Sequence, residues 1–246
     1  MWEPVTGGES GDPVFRSADG SRYAKRGRAD LLVRERDRIQ WLSGSGIPGP
    51  RVLDWQADGD RALLVTSAVR GVTADSVTAG ELLRAWPSIT DAVRALHALP
   101  ACPFSRDLAR MFALAQAVVG RGAVNPEFLP VEQQDTPPAE LLARLAADLD
   151  RWLAREELVV CHGDLCLPNI VLDPGTFAFA GFVDLGRLGL ADRYADISLL
   201  LANSRETWPD EQRAVAADEA FARRYGITLD GPRQRFYLHL DPLTWG

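Results

Sequence analysis

Hydrophobic positions in the first third of the chain fall in short runs broken by turn residues, and in the remainder they recur at helical spacing. Val14-Phe15-Arg16 and Arg22-Tyr23-Ala24-Lys25 flank Asp19-Gly20, a hairpin turn signal. Val52-Leu53-Asp54-Trp55 and Ala62-Leu63-Leu64-Val65 flank Asp58-Gly59-Asp60 in the same way. Between the two hairpins, Asp30 to Leu42 reads as a helix with Leu31, Ile39 and Leu42 on one face. Gly44, Gly46 and Pro48 end it.

From about Gly71 the spacing becomes helical. Helices are predicted from Glu81 to Trp86, interrupted by Pro87, then from Asp91 to Leu99, Leu108 to Val119 and Glu140 to Leu153. Gly120 to Pro138 is loop-like and carries four prolines, Pro126, Pro130, Pro137 and Pro138. A second β region follows at Leu158 to Cys161, Ile170 to Asp173 and Phe179 to Val183, and helices at Ala191 to Ala202 and Glu211 to Tyr225 close the pattern. A β-rich beginning with one helix before a helix-rich remainder is an α+β arrangement. The segment Val69 to Gly71 is the best hinge, which divides the chain into 1–70 and 71–246.

The strongest chemical signal is His162-Gly163-Asp164-Leu165-Cys166-Leu167-Pro168-Asn169, placed after a hydrophobic strand and followed by Asp184-Leu185-Gly186. Transfer of a γ-phosphoryl group needs an oriented hydroxyl, neutralised phosphate charge and a bound metal. Asp164 can accept or orient the hydroxyl proton. Asn169 and Asp184 offer the hard oxygen ligands that Mg2+ requires. Protein kinases follow the same logic in their catalytic loop and their Asp-Phe-Gly segment. Taken alone, the triad also fits a polar turn between strands.

The first third adds the missing parts. Lys25 ends the second hairpin strand, where a phosphate-pairing lysine belongs, and Glu35 lies on the apolar helix face. A carboxylate there is costly to bury unless paired; Lys25 is the obvious partner, with the helix neighbours Arg34 and Arg38 as the alternative. Gly7-Gly8-Glu9-Ser10-Gly11-Asp12 precedes the lysine strand, so Ser10 and Gly11 become candidates for a flap over phosphates. No Gly-Lys-Ser/Thr follows, so this is not a Walker A loop. Thr66-Ser67-Ala68-Val69 could present backbone groups to a purine edge. His97 and His239 read as helix-surface or packing histidines, Cys161 and Cys166 as small packing residues, and Asp192 and Asp196 as braces of the helical part.

Composition narrows the partners. The net charge is −7, so a basic footprint for nucleic acid is missing. Three cysteines without a CxxC pair fit reduced thiols in a cytosol. The opening Met1-Trp2-Glu3-Pro4 has no basic or apolar leader pattern, and no apolar run approaches about 18 residues. A cytoplasmic monomer that engages neither membrane nor nucleic acid is expected.

The order glycine loop, Lys25, Glu35, hinge, His162-Gly163-Asp164, Asn169 and Asp184 resembles the aminoglycoside phosphotransferase family over nearly the whole chain. The resemblance implies a protein-kinase-like fold, with a β-rich N-terminal lobe and a mainly helical C-terminal lobe. Gly163, where protein kinases have Arg, and the lack of an Ala-Pro-Glu motif point to small-molecule kinases. Glu35-Arg36-Asp37-Arg38, Ala85-Trp86-Pro87-Ser88, Ala191-Asp192-Arg193-Tyr194-Ala195-Asp196 and the ending Leu240-Asp241-Pro242-Leu243-Thr244-Trp245-Gly246 are most similar to the members that act on streptomycin. By that resemblance Asp164 is the catalytic base, Asn169 and Asp184 hold Mg2+, and Lys25 binds the phosphates of ATP, with GTP also open. Ser67 and Val69 fall at the purine hinge. Asp241, Trp245 and Gly246 become candidate contacts for a cationic aminoglycoside, with Glu127, Glu132 and Asp135 behind them. Kinases of kanamycin and neomycin commonly carry an acidic residue three positions after the base, and here Leu167 stands there. Transfer to the 3''-hydroxyl of streptomycin is the implied reaction. A metabolic kinase of the same fold, acting on choline, homoserine or a sugar, is the first alternative. A non-catalytic pseudokinase is the second, and the joint presence of Lys25, Glu35, Asp164, Asn169 and Asp184 argues against it.

Overall fold

A computed structural model of the chain describes residues 1–5 and 13–246. The glycine loop, with Ser10 and Gly11, lies outside the described residues. Two compact units are present: Met1–Ala95 with Cys166–Arg187, and Leu96–Leu165 with Leu188–Gly246.

The first unit is built on a five-stranded antiparallel sheet. Its strands are β1 (Trp2–Pro4), β2 (Val14–Ser17), β3 (Arg22–Arg28), β4 (Val52–Asp58) and β5 (Arg61–Ser67), in the order β1-β2-β3-β5-β4. The Asp19-Gly20 turn joins β2 to β3, with Gly20 at φ 67°, a backbone value that glycine adopts without a Cβ penalty. Register sets Lys25 opposite both Val14 and Leu64, in the middle of the sheet. Helix α1 (Ala29–Ser43) packs on this sheet through Leu32, Ile39 and Leu42. Leu31 was expected on that face. It is 47% exposed, whereas Leu32 is 1% exposed. Residues 31 and 32 lie about 100° apart on a helix and either one can share a face with residue 35. The rotation that buries Leu32 is the one the structure adopts.

A second, three-stranded sheet completes this unit. It consists of β6 (Val72–Thr73), β8 (Ile170–Leu172) and β9 (Phe179–Phe182) in the order β6-β8-β9. Pairing of β6 with β8, and a 3.0 Å bond from the Phe179 N–H to Ser88 Oγ, tie residues 71–95 to residues 166–187, and the Phe182 N–H donates to the Pro48 carbonyl at 3.1 Å. That grouping differs from a cut at residue 70. Gly71 (φ 149°) leaves no room for a Cβ against the Leu172 carbonyl. Helix α2 (Ala79–His97) runs through Pro87, contrary to the expected interruption. Pro87 and Leu83, whose carbonyl loses its i+4 donor, are both on the exposed side, where water can replace the lost bond.

The second unit holds α3 (Leu108–Gly120), α4 (Pro138–Ala146), α5 (Leu149–Leu153), α6 (Arg193–Ser204), α7 (Glu211–Tyr225) and α8 (Gly231–Leu240). A two-stranded antiparallel sheet joins β7 (Leu158–Cys161) to β10 (Gly189–Asp192). Its core includes Leu108, Phe112, Trp152, Tyr194, Phe236 and Leu240. Three details depart from expectation. The helix expected over Glu140 to Leu153 is two helices with a break at residues 147–148. Ala191 and Asp192 belong to β10, and Asp192 caps α6 by accepting the Tyr194 N–H at 2.9 Å. Helix α8 was missed because its buried face includes Arg233, which pairs with the buried Asp192 carboxylate. Among the described residues no helix is long and apolar enough to cross a membrane.

Leu32→Ala is expected to lower unfolding free energy by about 2–5 kcal/mol, against less than about 0.5 kcal/mol for Leu31→Ala. Urea unfolding of both variants tests the corrected helix face.

Candidate active site

A cleft of about 300 Å³ opens in the first unit and is lined by Tyr23, Lys25, Glu35, Leu64, Ser67, Val69 and Asp184, among others. Strand β3 carries Lys25 to it, and α1 carries Glu35 from the face that also holds Leu32 and Ile39. Lys25 Nζ donates to Glu35 Oε2 at 3.1 Å, with side-chain exposures of 18% and 13%. The expected lysine–glutamate pair is therefore present. Asp184 Oδ1 stands 3.8 Å from the same ammonium.

The β8–β9 hairpin explains how residues fifteen apart come together. Ile170 pairs with Phe182, and the Val183 N–H donates to the Asn169 carbonyl at 3.0 Å. Asn169 just before β8 and Asp184 just after β9 thus meet at one end of the hairpin. Asn169 Nδ2 donates to Cys166 Sγ at 3.2 Å, which orients the amide. Asp184 has φ 56°, a left-handed conformation that Asp tolerates better than most residues. An amide and a carboxylate at one hairpin end form a hard-oxygen donor set that suits Mg2+.

Asp164 sits in the second unit, three residues beyond the end of β7. Its backbone N–H donates to His162 Nδ1 at 3.3 Å, and Gly163 before it takes φ 84°. Asp196 of α6 holds this turn from beneath. Its Oδ2 accepts the His162 N–H at 2.6 Å, and its Oδ1 accepts the Gly163 N–H at 2.9 Å. Asp196 is fully buried. Burial acts to raise its pKa, but the bond from His97, the electrostatic pull of the His97 and His162 rings and the Gly163 amide outweigh it and hold the carboxyl below its ordinary value. Reading Asp196 as a brace matches this position. Its grip on the catalytic turn was not anticipated. The available signal was an aspartate within the apolar run Tyr194 to Leu201.

The hinge stretch is partly committed. The Ser67 N–H donates to the Arg51 carbonyl and the Ala68 N–H to the Ser21 carbonyl, at 2.8 and 2.9 Å. Both Ser67 and Val69 line the cleft. In the second unit, Asp241 Oδ1 accepts from Arg106 at 2.9 Å and Oδ2 accepts from Trp245 Nε1 at 3.0 Å. Trp245 also meets Phe128 edge-on at 6.2 Å, and Arg121 donates to the Gly246 oxygen at 2.6 Å. The three C-terminal candidates thus form an ordered cluster, in which the Asp241 charge already faces an arginine.

The paired lysine and hard-oxygen donors of one unit, and the aspartate on a clamped turn of the other, are the parts that a phosphoryl-transfer protein requires. The model of the phosphotransferase enzyme family matches residues 2–236, and the chain belongs to that family. It is 62% identical over 252 residues to the streptomycin 3''-kinase of Streptomyces griseus, covering 100% of this chain and 93% of that one. The aminoglycoside phosphotransferase APH(3'')-Id of Streptomyces rimosus ATCC10970, solved in complex with ADP and streptomycin, superposes with a TM-score of 0.94 at 60% identity, covering 100% of this chain and 93% of that one. The aminoglycoside-3'-phosphotransferase of type VIII superposes with a TM-score of 0.85 at 33% identity, covering 98% and 93%. The fold is the α+β, kinase-like fold of these enzymes.

Glu35→Gln leaves Lys25 without its nearest counter-charge in a mostly buried setting. A loss of about 1–3 kcal/mol is expected, measured by urea unfolding at neutral pH. Unchanged stability would mean that the pair is effectively solvated.

Proposed function

We propose that the chain is an aminoglycoside O-phosphotransferase that moves the γ-phosphoryl group of ATP to the 3''-hydroxyl of streptomycin and so confers resistance to it. The observation that carries this reading is the full-length, 62% identical match to a streptomycin 3''-kinase. The solved relative with ADP and streptomycin supports the same nucleotide and acceptor.

In this reading Lys25 pairs with the nucleotide phosphates and Glu35 fixes its position. The Val69 backbone holds the purine edge beside Ser67. Asn169 and Asp184 hold Mg2+, which neutralises phosphate charge when bound. Asp164 orients the 3''-hydroxyl and takes its proton. The new bond joins the 3''-oxygen to the γ-phosphorus, the bond to the ADP oxygen breaks in line, and ADP leaves. Streptomycin carries two guanidinium groups, so its pocket needs acceptors and aromatic faces. Trp245, held by Asp241 and Phe128, offers an indole face to a guanidinium. Asp241 and the Gly246 oxygen add negative potential, shared with Arg106 and Arg121. Three cysteines without a CxxC spacing suit a reducing cytoplasm.

ADP release with Mg2+ and ATP is expected with streptomycin and not with kanamycin. Asp164→Ala is expected to lower kcat by at least about 10²–10⁴-fold, and Asp184→Ala by at least as much. Equal turnover in either variant, or turnover on kanamycin alone, overturns the assignment.

A further inference from the structure

The mechanism above uses Asp164 but leaves unexplained a buried chain of groups behind it. His97, the last residue of α2, is buried, and both of its ring nitrogens are engaged. Nε2 lies 3.1 Å from Asp196 Oδ2, and Nδ1 lies 2.8 Å from Tyr225 Oη on α7. The two rings meet edge-on at 5.7 Å, and Tyr225 stacks on Phe221 at 5.6 Å. Tyr225, His97 and Asp196 thus form a line that ends on the His162 and Gly163 amides.

Proton positions along this line follow from its chemistry. An ionised Asp196 only accepts, so Nε2 must carry hydrogen. Burial pushes the Tyr225 phenol up to about 12, so it stays protonated and can donate to Nδ1. Cys161 beside them donates its thiol hydrogen to the Asp192 carbonyl at 3.3 Å, and burial raises its pKa well above the ordinary value. It therefore brings no competing negative charge. With His97 in place, Asp196 accepts three N–H groups and can remain ionised without water.

We infer that His97, propped by Tyr225, is a positioning residue for phosphoryl transfer: it orients Asp196 so that the carboxylate grips the His162 and Gly163 amides and fixes the turn that carries Asp164. The inference rests on the proposed role of Asp164. A buried carboxylate that loses its imidazole donor can rotate or take up a proton, and either change loosens one of the two amide bonds. Loss of alignment at a reacting group costs rate even when binding persists. Lys25, Glu35 and the rest of the nucleotide cleft belong to the other unit and make none of these bonds.

The test compares His97→Leu, His97→Gln and Tyr225→Phe in the full chain. A glutamine amide reaches the position of Nε2 and can donate to Asp196, whereas leucine cannot. His97→Leu is expected to lower kcat on streptomycin about 10- to 100-fold, with KM for ATP within about twofold of the parent. His97→Gln is expected to recover most of kcat. Amide hydrogen exchange at His162 and Gly163, measured by NMR without substrate, should speed up in His97→Leu, less in Tyr225→Phe, and return toward the parent in His97→Gln. Parental kcat in folded His97→Leu overturns the inference. So does a fall in kcat that leaves both amides protected and that glutamine does not repair, because that pattern marks simple packing loss. If His97→Leu does not fold, unchanged exchange at both amides in Tyr225→Phe overturns it instead. If the parent protein does not phosphorylate streptomycin, the acceptor reading fails, and the amide measurements still decide the role of His97.

Discussion

An ammonium and a carboxylate held 3.1 Å apart, each mostly withdrawn from water, set the terms for the whole cleft of the first unit. Neither charge is tolerable there alone. The sheet register must place Lys25 at the cleft, and α1 must turn Glu35 toward it while burying Leu32, Ile39 and Leu42. The β8–β9 hairpin then brings the Asp184 carboxylate to the same ammonium. One cation now faces two anions. That local surplus of negative charge suits a divalent cation, which in turn lets phosphates approach.

Asp164 depends on a different solution to the same difficulty. Asp196 is fully buried, yet it is stabilised by donors on three sides. Two of those donors are backbone amides of the turn that presents Asp164. Burial and hydrogen bonding therefore serve the geometry of the turn as much as the stability of the helix that bears the aspartate. A similar buried pair, Asp192 with Arg233, ties β10, α6 and α8 together in the same unit.

Much of this was legible in the amino-acid sequence where one signal dominates. Asp19-Gly20 and Asp58-Gly59 define their hairpins because turn chemistry is local. The spacing of Asp164, Asn169 and Asp184 is informative because the hairpin between the last two fixes their separation. Legibility failed where packing decides between equals. Leu31 and Leu32 are alike in hydrophobicity, and only the sheet selects one. Pro87 reads as a break, and it is harmless because the lost bond faces water. Helix α8 and the His97–Tyr225 prop depend on partners far apart in the chain, Arg233 with Asp192 and His97 with Asp196, and pattern alone does not pair them.

The left-handed backbone of Asp184 has an evolutionary reading. At φ 56° a glycine would sit without strain, whereas an L-residue gives up roughly 1–2 kcal/mol. Selection for folding alone would therefore favour glycine at this position, and a lineage released from the need to handle phosphate would be expected to drift that way. An aspartate here accepts a backbone cost that glycine would avoid.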